Sequence, residues 1–210
     1  MLQTLAPTEA IALPFPLRLP TDLKLQVTPE QFEALAAVND VLRLERTAQG
    51  ELLVNPPTGW ETGERNFSIT GALFQWYERN GRQGKAFDSS TGFTLPNSAI
   101  LSPDASWISQ ERWDGLTDAQ KKIFPEVCPD FVIELRSQSD TLKGLQGKMQ
   151  EYLDNGAGLG WLIDPKNRTV TIYRPNQTPE VLTQPKAVSG DTLMAGFTLD
   201  LDRIWGKAEP

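Results

Sequence analysis

Two carboxylates of this sequence stand where an acid is hardest to explain by folding alone. Asp104 follows Pro103 in SPDASWIS, and Glu134 lies inside FVIELRS. Strand alternation puts Phe131, Ile133 and Leu135 on one face and Asp130, Val132, Glu134 and Arg136 on the other. An acid on so apolar a strand is costly to bury unless something pairs with it. Glu134 is therefore either salt-bridged or a metal ligand. The next stretch, TLKGLQGKMQEYLDNG, spaces Leu142, Leu145, Met149 and Tyr152 as a helix does, and sets Lys148 beside Tyr152 at the edge of that stripe. Glu64 is a fourth candidate. Steps of three and four from it meet Phe67, Gly71, Phe74 and Glu78, so it is expected at the N-terminal end of an inward-pointing stripe.

Together these groups suggest one kind of chemistry. Two carboxylates about 4 Å apart repel by roughly 4 kcal/mol at a near-surface effective dielectric. A divalent cation reverses that sign and makes its bound water nucleophilic near neutral pH. A lysine alongside would orient that water or offset charge growing on a phosphate. The chain has no histidine. That removes Ser-His-Asp and Cys-His catalysis and histidine zinc sites, and leaves oxygen ligands suited to magnesium, manganese or calcium.

Each residue also has a plainer reading. Asp104 can cap a turn, Glu134 can pair with Arg136 or Lys148, Lys148 can be a solvated helix residue, and Glu64 can serve the helix dipole. Asp130 fits a strand-start acid better than a metal partner. Cys128, the lone cysteine, reads as a small buried hydrophobe. Tyr152 and the six tryptophans read as core or rim, and Gln146 as solvent-facing.

The elements that must position these residues follow from local pattern. Four prolines in residues 1–24 make an extended arm, ahead of a domain over 25–210. Thr28-Pro29-Glu30-Gln31 is a capping-box start to a short helix reaching Val38. Val41–Arg46 and Glu51–Val54 form a hairpin, and a longer helix runs from Glu61 to Asn80-Gly81. Strands are expected at 84–88, 92–95 and 104–108, then a polar excursion with a short helix near Leu116–Lys122. The strand 131–135 precedes the lysine helix of 140–155, in which Gly144 and Gly147 each weaken the helix by roughly 1 kcal/mol. A hairpin of 159–163 and 169–173 turns at Asp164-Pro165-Lys166-Asn167, with weaker strands near 180–182 and 192–199. The fold class is α/β, a mixed sheet flanked by helices with added β-hairpins.

Composition bounds the rest. With 210 residues, 39% hydrophobic and 22% charged, the chain suits one soluble domain. No apolar run spans a bilayer, and the N-terminus lacks the basic region of a signal peptide. A single cysteine fits a reducing compartment, so the cytoplasm is the expected location. The net charge of −7 argues against counterion-driven nucleic-acid binding over the whole surface, while a local basic groove stays compatible.

Pro103-Asp104, Glu134 within FVIELRS, the helix with Lys148 and Tyr152, and the strand GWLIDP resemble the Uma-type restriction endonuclease family, a cyanobacteria-rich branch of the PD-(D/E)xK nuclease superfamily. The resemblance spans residues 28 to 200, with ETGERN, SPDASWIS, CPDFVIELRS and KMQEYLDNG as its most specific pieces. It implies a restriction-endonuclease-like core and a Mg²⁺- or Mn²⁺-dependent endonuclease acting on DNA. Asp104 and Glu134 would hold the metal, with the Leu135 carbonyl as a further ligand and Glu64 as the helix acid. The superfamily lysine stands two residues after the glutamate. That position here is Arg136, which stays protonated; the family takes the lysine from the following helix, which matches Lys148. A catalytically silent binding module with the same fold is the competing expectation, and RNA or a branched junction the alternative substrate. Cutting two strands would go with a homodimer, which the sequence leaves open.

Overall fold

The computed structural model describes residues 24–121 and 123–206; the expected arm over residues 1–24 lies, up to residue 23, outside them. Helix α1 (Pro29–Val38) opens on Thr28, whose side chain accepts from the Gln31 N–H while Gln31 closes the reciprocal capping box. Strands β1 (Arg43–Arg46) and β2 (Leu52–Asn55) form the expected hairpin, paired Arg43 to Asn55 through Arg46 to Leu52. Helix α2 (Trp60–Arg79) follows, then β3 (Lys85–Asp88), β4 (Phe93–Thr94), β5 (Ile100–Leu101) and β6 (Ala105–Ile108). Helix α3 (Gln110–Asp114) lies earlier than the expected 116–122, because the Ser109 side chain caps it by accepting from the Arg112 N–H. Then come β7 (Phe131–Leu135), α4 (Leu142–Asp154), β8 (Leu159–Asp164), β9 (Thr169–Tyr173), β10 (Glu180–Thr183), β11 (Ala187–Ser189), β12 (Thr198–Asp200) and α5 (Asp202–Trp205).

A six-stranded sheet in the order β10-β9-β8-β7-β6-β3 forms the centre. Only β7 and β8 within it run parallel, joined by the α4 crossover, and its other pairs are antiparallel. Beside it lie a four-stranded sheet, β2-β1-β5-β4, and the pair β11-β12. Strand β4 thus leaves the central sheet, where the sequence pattern had placed it in continuity with 104–108. The chain crosses from one sheet to the other at Ser102-Pro103-Asp104, between β5 and β6. Pro103, with no N–H to donate, suits a break between ladders.

Alternation in β7 sorts two cores. Phe131, Ile133 and Leu135 pack with Ile69, Leu73 and Trp76 of α2 and with Leu201 and Ile204 at the chain's end. Val132 packs on the other face with Met149 and Tyr152 of α4. Gly160 of β8 leaves room for this second layer, since a Cβ there would run into the tip of the Met149 side chain. Gly147 faces open space and lines the cleft described below, so that helix glycine keeps a groove clear instead of admitting a packed neighbour.

Candidate active site

Since Val132 faces α4, Glu134 must face it too, and the residue is 2% exposed beneath that helix. Lys148 of α4 meets it there, with Nζ 2.9 Å from Oε1. The Tyr152 hydroxyl, one turn further along α4, donates to the same oxygen at 3.0 Å. The same ammonium donates to Glu45 Oε1 of β1 at 2.8 Å and to the Ser102 carbonyl at 3.2 Å. Glu45, 5% exposed, also accepts from the Ser102 N–H at 2.7 Å and from Asn55 Nδ2 at 3.1 Å. Lys148 therefore bridges two buried carboxylates from distant parts of the sequence, β1 and β7.

Asp104 sits where the chain enters β6. Its N–H donates to the Ile133 carbonyl at 3.0 Å, and its Oδ2 accepts from the Leu135 N–H at 2.8 Å. The carboxylate thereby continues the ladder past the end of the strand pair. Its Oδ1 accepts from Arg43 Nη1 at 3.1 Å and from Asn66 Nδ2 of α2 at 3.4 Å. Arg43 Nη2 is held by the Ser102 carbonyl at 2.6 Å. Asp104, Glu134, Leu135, Glu45, Arg43 and Lys148 all line one cleft of about 1020 Å³.

The electrostatics follow from burial. Burial raises the Glu134 carboxyl to about 7; Lys148 opposes the rise, and Asp104 and Glu45 add to it. Burial also works against charge on Glu45, but Lys148, the Ser102 N–H and Arg43 outweigh it and hold that carboxyl below its usual value. For Lys148, burial works against the charge, yet Glu134 and Glu45 overcome it and raise the ammonium above the ordinary lysine range. Lys148 is a fixed cation at neutral pH, not a base. Burial first, then Glu134, pushes the Tyr152 phenol well up, so it acts as a hydrogen-bond donor.

Not every expected residue enters the cleft. Glu64 is exposed and is absent from the cleft wall. The stripe that carries it points outward, with Phe67 79% and Phe74 58% exposed, while α2 buries Ile69, Leu73 and Trp76. Both faces of α2 carry apolar residues. Contact with α5 and the sheet, invisible in local spacing, decided which was buried. The wall of the cleft takes Glu61, Thr62 and Asn66 from α2 instead. Arg136, in the position of the superfamily lysine, turns away to Asp164 Oδ2 at 2.7 Å. Asp130 pairs with Arg112 at 2.9 Å and accepts from the Ser109 N–H at 2.7 Å, a structural role. Burial pushes the Cys128 thiol to about 12, which makes it inert.

Sequence reasoning did not single out Glu45, Arg43 or Asn66. The available signal was the charged alternation RLER in a strand, two of whose residues, Glu45 and Arg46, end up buried.

Donor chemistry tests whether a hard divalent ion suits these residues. Among the described residues no three acids are gathered as a metal cluster, but Mg²⁺ is commonly held by one or two carboxylates plus water and substrate oxygens. Asp104 and Glu134 supply such a pair. Asn66 Oδ1, buried beside Asp104 with no partner among the described residues, is a spare neutral oxygen of the right hardness. The residues fit such an ion by type, with Arg43 on Asp104 as its competitor.

Residues 29–202 match a family profile described as "Uma2: Putative restriction endonuclease". Among solved structures, the chain is similar to one described as a putative nuclease belonging to DUF820 from Anabaena variabilis. That one is 21% identical, with a TM-score of 0.67, over 77% of this chain and 89% of that one. The two share a fold. A second similarity, to the DrdV–DNA complex, has 16% identity and a TM-score of 0.32, over 58% of this chain and 10% of that one, too low to bear on the fold. No curated protein matches the chain.

Proposed function

Since the chain belongs to the Uma2 family of putative restriction endonucleases, we propose that it hydrolyses phosphodiester bonds in DNA with Mg²⁺ or Mn²⁺ at the Asp104–Glu134 pair. The observation that carries this reading is the reach of Lys148 from α4 to Glu134, 2.9 Å away, in the cleft that also holds Asp104. Asp104 and Glu134, with Asn66 Oδ1 and the Leu135 carbonyl as further oxygens, would hold the ion. When bound, it supplies an acidified water and neutralises charge on the phosphate.

The chain's own residues have distinct tasks. Lys148, kept protonated by Glu134 and Glu45, offers a fixed positive charge to the phosphate oxygens or the attacking water. The Tyr152 hydroxyl and Lys148 together orient Glu134 Oε1, leaving its other oxygen for the ion. The Leu135 N–H fixes Asp104 Oδ2. Arg136, engaged with Asp164, has no part in this.

The test is cleavage of supercoiled plasmid with Mg²⁺ or Mn²⁺ by the wild-type chain, Asp104→Ala and Glu134→Ala, alongside RNA and a branched junction as substrates. Loss of metal-dependent cleavage in both variants is the expected result, and equal cleavage by all three rejects the site. A second reading, a silent module with the nuclease fold, is favoured by one observation: Asp104 and Glu134 each already have a cationic partner. Calorimetry separates the two, since no divalent-ion binding at millimolar metal would leave the silent module.

A further inference from the structure

The outward face of α2 is aromatic. Trp60, Phe67 and Phe74 are 78%, 79% and 58% exposed. They stand seven residues apart, nearly two turns at about 3.6 residues per turn, so they form one line of roughly 21 Å along the helix. Gly71 lies beside that line one turn from Phe67, and a Cβ there would meet nothing within 4 Å. A knob and a notch one turn apart on one face are self-complementary under a two-fold axis. We infer that this face pairs with a second copy of the chain, α2 against α2 in antiparallel fashion.

Three features favour a second copy over nucleic acid as the occupant. A two-fold near the middle of α2 sets Phe67 of each copy over Gly71 of the other. The same axis brings Glu78 of each copy, held in place by its own Arg82, to the other's α2 N-terminus. That N-terminus has Gly59 as its cap and no side-chain hydrogen bond, so a carboxylate there meets the positive end of a helix. Glu64 lies on the aromatic line, Glu78 is already paired with Arg82, and Arg65 is turned inward to donate to the Ile204 carbonyl, so among the described residues the line itself offers a polyanion no free cation.

Area agrees. With roughly 200 Å² per large aromatic, those three exposures leave about 430 Å² per copy. Two copies then supply more than half of the ~1,200 Å² at which stable interfaces begin, before the flanks of α2 are counted. Trp60 also lines the cleft, so the interface would begin at the cleft's rim. This inference stands whether or not the cleft cuts DNA.

Sedimentation velocity of the full chain across a concentration series tests it, with Phe67→Glu and Gly71→Leu as variants. Phe67 is exposed and a Cβ at Gly71 would border open space in one copy, and Gly→Leu in a helix interior favours the helix, so each variant should melt no earlier than a wild-type monomer. The expected result is a dimeric wild type and monomeric variants with unchanged circular dichroism. A monomeric wild type throughout overturns the inference, and so does a dimer that survives both substitutions.

Discussion

Replacing Glu134 by glutamine reads the buried charge of the cleft through stability, without any need for turnover. Burial, opposed by Lys148, lifts this carboxyl from an ordinary 4.5 to about 7. Between those values the native state holds the proton more firmly than the unfolded chain does. Stability contributed by protonated Glu134 is then fully present below pH 4.5 and is lost as pH rises through about 7. At about 1.4 kcal/mol per tenfold in proton affinity, the loss amounts to about 3 kcal/mol. Glutamine keeps the shape and still accepts the Tyr152 hydroxyl, but does not titrate in this range. Lys148 keeps Glu45 at 2.8 Å, so its charge is not left unpaired. Glu134→Gln should therefore gain on the wild type steadily as pH rises across this window, by about 3 kcal/mol in total. Urea unfolding followed by tryptophan fluorescence, at a series of pH values in a chelating buffer, measures the difference. If the two stability curves stay parallel, Glu134 titrates as an ordinary carboxylate and the reasoning fails.

Two further substitutions separate roles inside the cleft. Arg43→Met frees Asp104 Oδ1 from its guanidinium, and calorimetry should show divalent ions bound more tightly, on the order of tenfold for a partly exposed pair; unchanged affinity would mean that Arg43 does not compete with the ion. Arg136→Met leaves Asp164, 1% exposed, with the Asn167 amide and two backbone N–H groups. It should cost about 1–3 kcal/mol of stability and leave cleavage by the folded enzyme intact, whereas a rate loss as large as that of Lys148→Met would give Arg136 the motif lysine's role.

The parts legible in the sequence were those set by local periodicity. A period of two in FVIELRS placed Glu134 on the face with Val132, and a period near 3.6 placed Met149 and Tyr152 beneath α4, which brought Lys148 within reach of Glu134. The capping box at Thr28 and the turn at Asp164–Asn167 were written in single residues with strong backbone preferences. What stayed hidden depends on contacts between distant segments. Glu45 meets Lys148 across 103 positions of sequence, and nothing in RLER reports that a helix so far along the chain will supply its cation. Glu64 failed for a related reason. Helix α2 carries Phe67 and Phe74 on one side and Ile69, Leu73 and Trp76 on the other, and only the arrival of α5 and β12 selects between them. The stripe left outside is what makes α2 a candidate interface.

The charge of the cleft bears on both readings of its function. Among the described residues, Glu45, Glu61, Asp104, Glu134, Asp140 and Glu151 line it against only Arg43 and Lys148, in a chain of net charge −7. Lys148 is spent between two carboxylates and Arg43 on a third, so neither cation is free to draw in a polyanion from a distance. A phosphodiester backbone approaching this surface meets repulsion that falls off over a Debye length, ~8 Å in physiological salt. Attraction has to come from cations that the acids themselves recruit. Under the nuclease reading, Asp104 and Glu134 would hold a divalent ion whose charge would offset the local field that keeps DNA out, and Arg43, released from Asp104, would be free to meet the phosphate. Under the silent reading, the same interlocked charges are a finished structure with nothing to recruit. The two readings therefore part at the Arg43–Asp104 contact, before any bond is cut.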